Sequence, residues 1–185
     1  MAPREFSVRA AVPEDAEAIT RVHAASWRTT YADLVSPAFF DEFFDQRLDD
    51  RIASREARLR KPGVKSWVAT TLGGYIVGFI DGGPARSEIP AYPAELYAIY
   101  LLKGWQGTGI GRRLTGTLAA SFMAEGQTRM MVWVLAQNPA RHFYERLGAS
   151  YLTTAPIAIG ERTLDECAYG WDDISALLTI PLEEL

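Results

Sequence analysis

A chain of 185 residues with 48% apolar and 23% charged residues has the composition of an ordinary globular protein, large enough to bury a core and short enough for one domain. Its formal net charge of −4 excludes a general nucleic-acid binder, whose footprint would be a basic face, but leaves room for a local basic pocket. The single cysteine, Cys167, rules out an internal disulfide and a cysteine-based metal cluster, and no apolar run approaches the roughly 18 residues of a membrane span.

In chain order, the first residues lack the apolar core of a signal peptide, so the expected compartment is the cytoplasm. Phe6 to Ala10 alternates like a short strand, and Pro13 opens a helix with Glu14 and Asp15 in its first turn, where the dipole favours them. Pro37 starts a second helical stretch, apolar at Phe39, Phe40, Phe43 and Phe44. The charged segment Asp45 to Lys61 continues helical until Lys61-Pro62-Gly63. Lys65 to Thr71 and Tyr75 to Asp81 form a hairpin around Gly73-Gly74. Gly82 to Pro93, with three prolines and two glycines, reads as a long loop. Glu95 to Leu102 is an apolar strand. From Gly109 to Glu125, apolar Ile110, Leu114, Leu118 and Phe122 recur every four residues, as on an amphipathic helix. Met130 to Leu135 is a strand, Pro139 to Leu147 a short helix closed by Gly148, and Ser150 to Ile159 and Arg162 to Trp171 are two last strands. Cys167, inside the last, reads as a buried, inert thiol. The fold class is α+β, a central mixed, mostly antiparallel sheet flanked by helices.

Three glycines between a strand and a helix suggest phosphate binding, because a helix start offers unpaired N–H groups and glycine lets phosphate approach them. The dinucleotide fingerprint needs a glycine three residues after Gly109, where Arg112 stands. A nucleoside-triphosphate loop needs Lys then Ser or Thr after Gly109, where Ile110-Gly111 stand. A plain turn without a ligand is the remaining structural reading of the loop alone.

Gln106, Gly109 and Gly111 in Gln-x-x-Gly-x-Gly spacing resemble the pyrophosphate-binding motif of the GNAT superfamily of N-acetyltransferases. Glu95-Leu96-Tyr97-Ala98-Ile99-Tyr100 is similar to that family's fourth strand, and Asn138 to Gly148, with Phe143-Tyr144-Glu145-Arg146-Leu147-Gly148, to its second signature. Lys103-Gly104-Trp105 stands before Gln106 where a proline and an acidic residue are common. The resemblance implies acetyl-CoA as co-substrate, held by Leu101, Leu102, Gln106, Gly107, Thr108, Gly109, Ile110, Gly111, Arg112 and Asn138. It also implies a backbone N–H near Leu102 for the oxyanion and Tyr144 as the acid that protonates the departing thiolate.

Acetyl transfer to an amine needs that acid, a stabilised oxyanion and a route for the ammonium proton. Glu95 is the candidate base, with Tyr97 as its partner, beside the plainer reading of a solvated strand-end carboxylate. The resemblance implies that the end of the first helix lines the acceptor site, which makes Trp27, Arg28 and Tyr31, with Tyr97, candidates for its wall. An aromatic and cationic wall would suit a carboxylate-bearing amine, while Trp27 reads equally as a core residue. His23 reads as a packing or pocket-wall residue. The expected function is transfer from acetyl-CoA to a primary amine of a small molecule through a ternary complex. The alternatives are a protein N-terminal or lysine acetyltransferase and a non-catalytic acyl-CoA-binding module. The phenylalanine cluster, the five tryptophans and the tail Thr179 to Leu185 suggest a homodimer.

Overall fold

The computed structural model describes residues 5–32, 34, 36–86, 89 and 91–178. Strand β1 (Phe6–Ala10) leads through a 3-10 turn (Pro13–Asp15) into α1 (Ala16–Thr30). Next come α2 (Pro37–Phe40), a π-helical turn (Asp41–Asp45) and α3 (Leu48–Leu59). Strands β2 (Lys65–Thr71), β3 (Ile76–Pro84) and β4 (Ala94–Leu101) precede α4 (Ile110–Met123). Then follow β5 (Met130–Leu135), α5 (Arg141–Arg146), β6 (Ser150–Ile159), β7 (Arg162–Trp171) and a 3-10 turn (Ile174–Leu178).

The seven strands make one sheet in the order β1-β2-β3-β4-β5-β7-β6, in which only β4 and β5 run parallel. Side chains alternate across it. Val68 and Phe79 pack with Ile19 and Val22 of α1, whereas Ala69, Ile80 and Leu96 pack with Leu114 and Leu118 of α4. Thus α1 and α3 cover one face, and α4 and α5 the other. Asp15 secures the entry to α1 by accepting from the Val12 amide and from both terminal nitrogens of Arg9.

Two expectations change. The loop read from Gly82 begins only after Pro84, because Gly82 and Gly83 pair with Leu96 and Glu95 as strand. Glycine is required there by contact rather than by turning: a Cβ would stand 2.9 Å from Leu118 at Gly82 and 2.6 Å from the Tyr97 hydroxyl at Gly83. The phenylalanine cluster is covered by the chain itself, with Phe40 and Phe44 buried against Leu135 and with Ile157, Ile159 and Leu164 packed alongside. This removes one reason to expect a dimer. The tail from Thr179 lies outside the described residues. Among the described residues no helix is long and apolar enough to cross a membrane.

Candidate active site

The site begins at an irregularity in β4. Asp81 pairs with Ala98 and Gly82 with Leu96, so Tyr97 is an extra residue, a bulge. Bulges bend their strand, and this one lies where β4 leaves β5, the last parallel pair being Leu96 with Val132. Beyond it the two strands part. The Leu102 amide donates to Val77 of β3, so by the alternation of an antiparallel ladder the amides of Ile99 and Leu101 face the gap. Within the expected stretch near Leu102, the Leu102 N–H itself is engaged, and the available donor nearest the loop is that of Leu101. Ser26 Oγ (3.1 Å) and Gln106 Nε2 (3.3 Å) both donate to the Leu101 carbonyl, fixing the following peptide, between Leu101 and Leu102.

At the end of the gap stands the glycine loop. Gly107 and Gly109 have φ of +72° and +84°, and a Cβ on Gly107 would meet nothing within 4 Å. Gly109 is the N-cap of α4, and no side chain caps that first turn. Its N–H groups are thus presented outward, with Arg112 and Arg113 beside them against the dipole preference. Thr108 Oγ1 donates to the Trp105 carbonyl, and buried Ile110 anchors the helix start in the core. Gly111 differs from its neighbours: it packs against Phe143 of α5, whose ring a Cβ would approach to 3.2 Å.

Tyr144, on α5, is 5% exposed and lies edge-on to Trp171 and Phe143. Among the described residues its hydroxyl makes no hydrogen bond. Burial first, then the nearby Tyr31, pushes the phenol well above its ordinary value, so it stays protonated. Tyr100 accepts a hydrogen bond from Trp27 Nε1 at 2.9 Å. Asn138 donates to the Tyr31 hydroxyl at 2.7 Å and accepts from the Ala140 amide at 2.9 Å. Its carboxamide therefore positions Tyr31 and the start of α5.

On the α1 face lies a cavity of about 290 Å³, lined by Trp27, His23, Tyr97, Tyr100, Arg51, Arg55 and others. Of the expected wall, Trp27 and Tyr97 line it. Tyr31 is buried behind Trp27, and Arg28 turns away to Asp45 (2.7 Å). Arg51, Arg55 and Arg58, rather than Arg28, supply the positive charge of this wall. Their i, i+4, i+7 spacing on α3 was visible in the sequence, but it reads equally as a solvated face.

His23 is held down to about 3, by burial first and then by Arg55, Arg51 and Arg58. An unfolded imidazole titrates near 6.5. Between these values the unfolded chain binds a proton that the folded one refuses, so stability is full above pH 6.5 and is lost as pH falls toward 3. Wild-type protein should lose about 1–2 kcal/mol between pH 7 and pH 5 in urea unfolding, and His23→Gln should lose less. Equal pH slopes in the two proteins would free His23 of this role.

Glu95 is 1% exposed, and its oxygens accept from the amide, Nε and terminal nitrogen of Arg86, which also lies over the Tyr97 ring at 4.3 Å. It is absent from the cavity lining. This corrects the expectation of a free relay base: the carboxylate ties residue 86 to β4 and so braces Tyr97, whose hydroxyl donates to the Pro84 carbonyl.

The family described as the acetyltransferase (GNAT) family matches residues 25–149. A Bacillus subtilis protein named as an uncharacterized N-acetyltransferase, YuaI, is 37% identical over 174 residues, covering 94% of this chain and 97% of its own length. PaiA N-acetyltransferase from Thermoplasma acidophilum, solved with coenzyme A, superposes with a TM-score of 0.71 at 20% identity, over 90% of this chain and 98% of that one. YncA from Salmonella typhimurium, solved with its cofactor acetyl-CoA, gives 0.66 at 22% identity, over 90% and 93%. At such identities these two structures speak to the fold.

Proposed function

The chain belongs to the GNAT family of acetyltransferases, and from that premise we propose that it transfers the acetyl group of acetyl-CoA to the primary amine of a small molecule, directly, in a ternary complex. The observation that carries this reading is the gap opened by the Tyr97 bulge, with an uncapped glycine helix start at one end and a cavity at its side. The residues fit acetyl-CoA. Open space at Gly107 and the first turn of α4 suit a pyrophosphate, and Arg112 and Arg113 add charge there. The bound thioester supplies the acyl group. The amine nitrogen attacks its carbonyl carbon from the cavity, the Leu101 N–H receives the developing oxyanion, and Tyr144 gives a proton to the sulfur as the C–S bond breaks. The ammonium proton passes to water in the cavity before attack, and the second proton, lost from nitrogen as the adduct collapses, restores the Tyr144 phenol through water. Asp81 is the one carboxylate among the described lining residues, and it is engaged by Arg55 and Ser66. A cavity of about 290 Å³, at the small end of ligand pockets, favours a small acceptor over a peptide.

The test is release of free thiol from acetyl-CoA across a panel of small amines and peptides. Amine-dependent release is expected; its absence with every amine refutes transfer. In the same assay Glu95→Gln should slow the rate by a factor that is the same from pH 6.5 to pH 9, as befits a positioning residue. A defect that heals as pH rises would return Glu95 to proton relay.

A further inference from the structure

We propose that the acceptor is an amine carrying an anionic group, a carboxylate or a phosphonate, and that Arg51 and Arg58 bind this group. The inference rests on the cavity being the acceptor site and specifies what enters it.

Three guanidiniums of one α3 face line the cavity, against the single carboxylate of Asp81. Arg55 and Asp81 form a buried pair, completed by Ser66 Oγ on the second oxygen at 2.6 Å, so they neutralise each other. That leaves two cations. Arg51 is pressed onto Phe43 and Phe44, its guanidinium carbon 4.1 and 4.6 Å from the ring centroids. Its Nε is buried, and among the described residues it has no hydrogen-bond partner; the one side-chain hydrogen-bond contact there is the His23 ring nitrogen at 3.5 Å. His23, uncharged, brings no compensating negative charge. A buried N–H without an acceptor is costly and calls for a ligand that accepts from it. Arg58 lies exposed at the same cavity and forms no ion pair among the described residues, in a chain where 23 acidic side chains outnumber 19 basic ones.

Elsewhere arginines do find carboxylates, as Arg9 does Asp15, Arg28 Asp45 and Arg86 Glu95. Two planar forks left open on one wall suit a flat or tetrahedral oxyanion group, which can accept from both. With the anion there, the body of the acceptor lies along Trp27 and Tyr97. Its amine then points to Ala98 and Tyr100, where β4 borders the gap.

The experiment compares matched acceptors in the thiol-release assay: several amino acids, the amide of each, the decarboxylated amine of each, and the corresponding aminophosphonates. Wild-type kcat/KM should favour the carboxylate or phosphonate over the neutral partners by at least about ten-fold, and whichever anion is preferred names the source. Arg58→Gln, on the exposed rim, and Arg51→Met, which keeps an apolar stem on the two rings, should each narrow that preference by about ten-fold or more. A preference for neutral amines, or an unchanged preference in Arg58→Gln, overturns the proposal. If no amine releases thiol, transfer itself is refuted, and calorimetric titration with the same compounds decides the anion site. Binding of the acid but not the amide, weakened in Arg58→Gln, supports it; equal binding of acid and amide overturns it.

Discussion

Replacing Tyr144 with Phe should lower kcat at least tens-fold while leaving the KM for acetyl-CoA nearly unchanged. The substitution removes one oxygen, and that oxygen has no hydrogen bond among the described residues to lose. The ring contacts with Phe143 and Trp171 survive. Stability should therefore hold. General acid catalysis is worth about 10²–10⁴-fold, and a thiolate leaves more readily than an alkoxide, which sets the loss toward the lower end. Because burial raises the phenol rather than lowering it, the acid form persists through the physiological range, and the defect should not vary between pH 6.5 and pH 9. Single-turnover measurement, in which chemistry is observed directly, decides the matter. A wild-type rate there would make Tyr144 a packing residue.

Gly109→Val should remove detectable binding of coenzyme A in calorimetry. Gly109 sits at φ +84°, a region that costs an ordinary residue about 1–2 kcal/mol and a β-branched one more, so the loop would shift. The added branch would also stand where the first amides of α4 meet a pyrophosphate. The strain needs its own control. Gly126, after the far end of α4, has φ +79° and nothing within 4 Å of a Cβ, so Gly126→Val carries the same backbone penalty away from the loop. Retained binding in Gly126→Val with loss in Gly109→Val separates the two effects. Full affinity in Gly109→Val would end the assignment of the loop. Gly111 is a poorer probe than its place in the motif suggests, because a side chain there first strikes Phe143.

Elements with a strong period were legible from residues alone. The four-residue recurrence of Ile110, Leu114, Leu118 and Phe122 is the buried stripe of α4, and the Gly73-Gly74 hairpin joins β2 and β3. What could not be read was partnership across the sheet. Whether Gly82 and Gly83 continue a strand depends on Leu118 and Tyr97, which lie 36 and 14 residues away in the chain. A carboxylate at position 95 looks free until Arg86, nine residues earlier, takes both its oxygens. Which amide faces the gap turns on the parity of one hydrogen bond, from Leu102 to Val77, and no composition signals parity. The α3 arginines were not legible either, since charged residues at helical spacing suit a wet face and a ligand wall alike.

The parallel seam between β4 and β5 consists of three residue pairs, Ala94 with Met130, Glu95 with Met131 and Leu96 with Val132. On either side of it the chain forms an antiparallel leaf, β1 to β4 before it and β5 to β7 after it. Mechanically the sheet is two leaves hung on a short hinge. The clasp across them is the last 3-10 turn, where Ile174 donates to Thr128 and Leu177 closes on Gly116 of α4. A ligand lying in the opening would touch both leaves at once and so add a second tie beside the three-pair seam. Occupancy would then be felt as stiffening of the whole sheet, with the cooperativity of unfolding rising as the site fills.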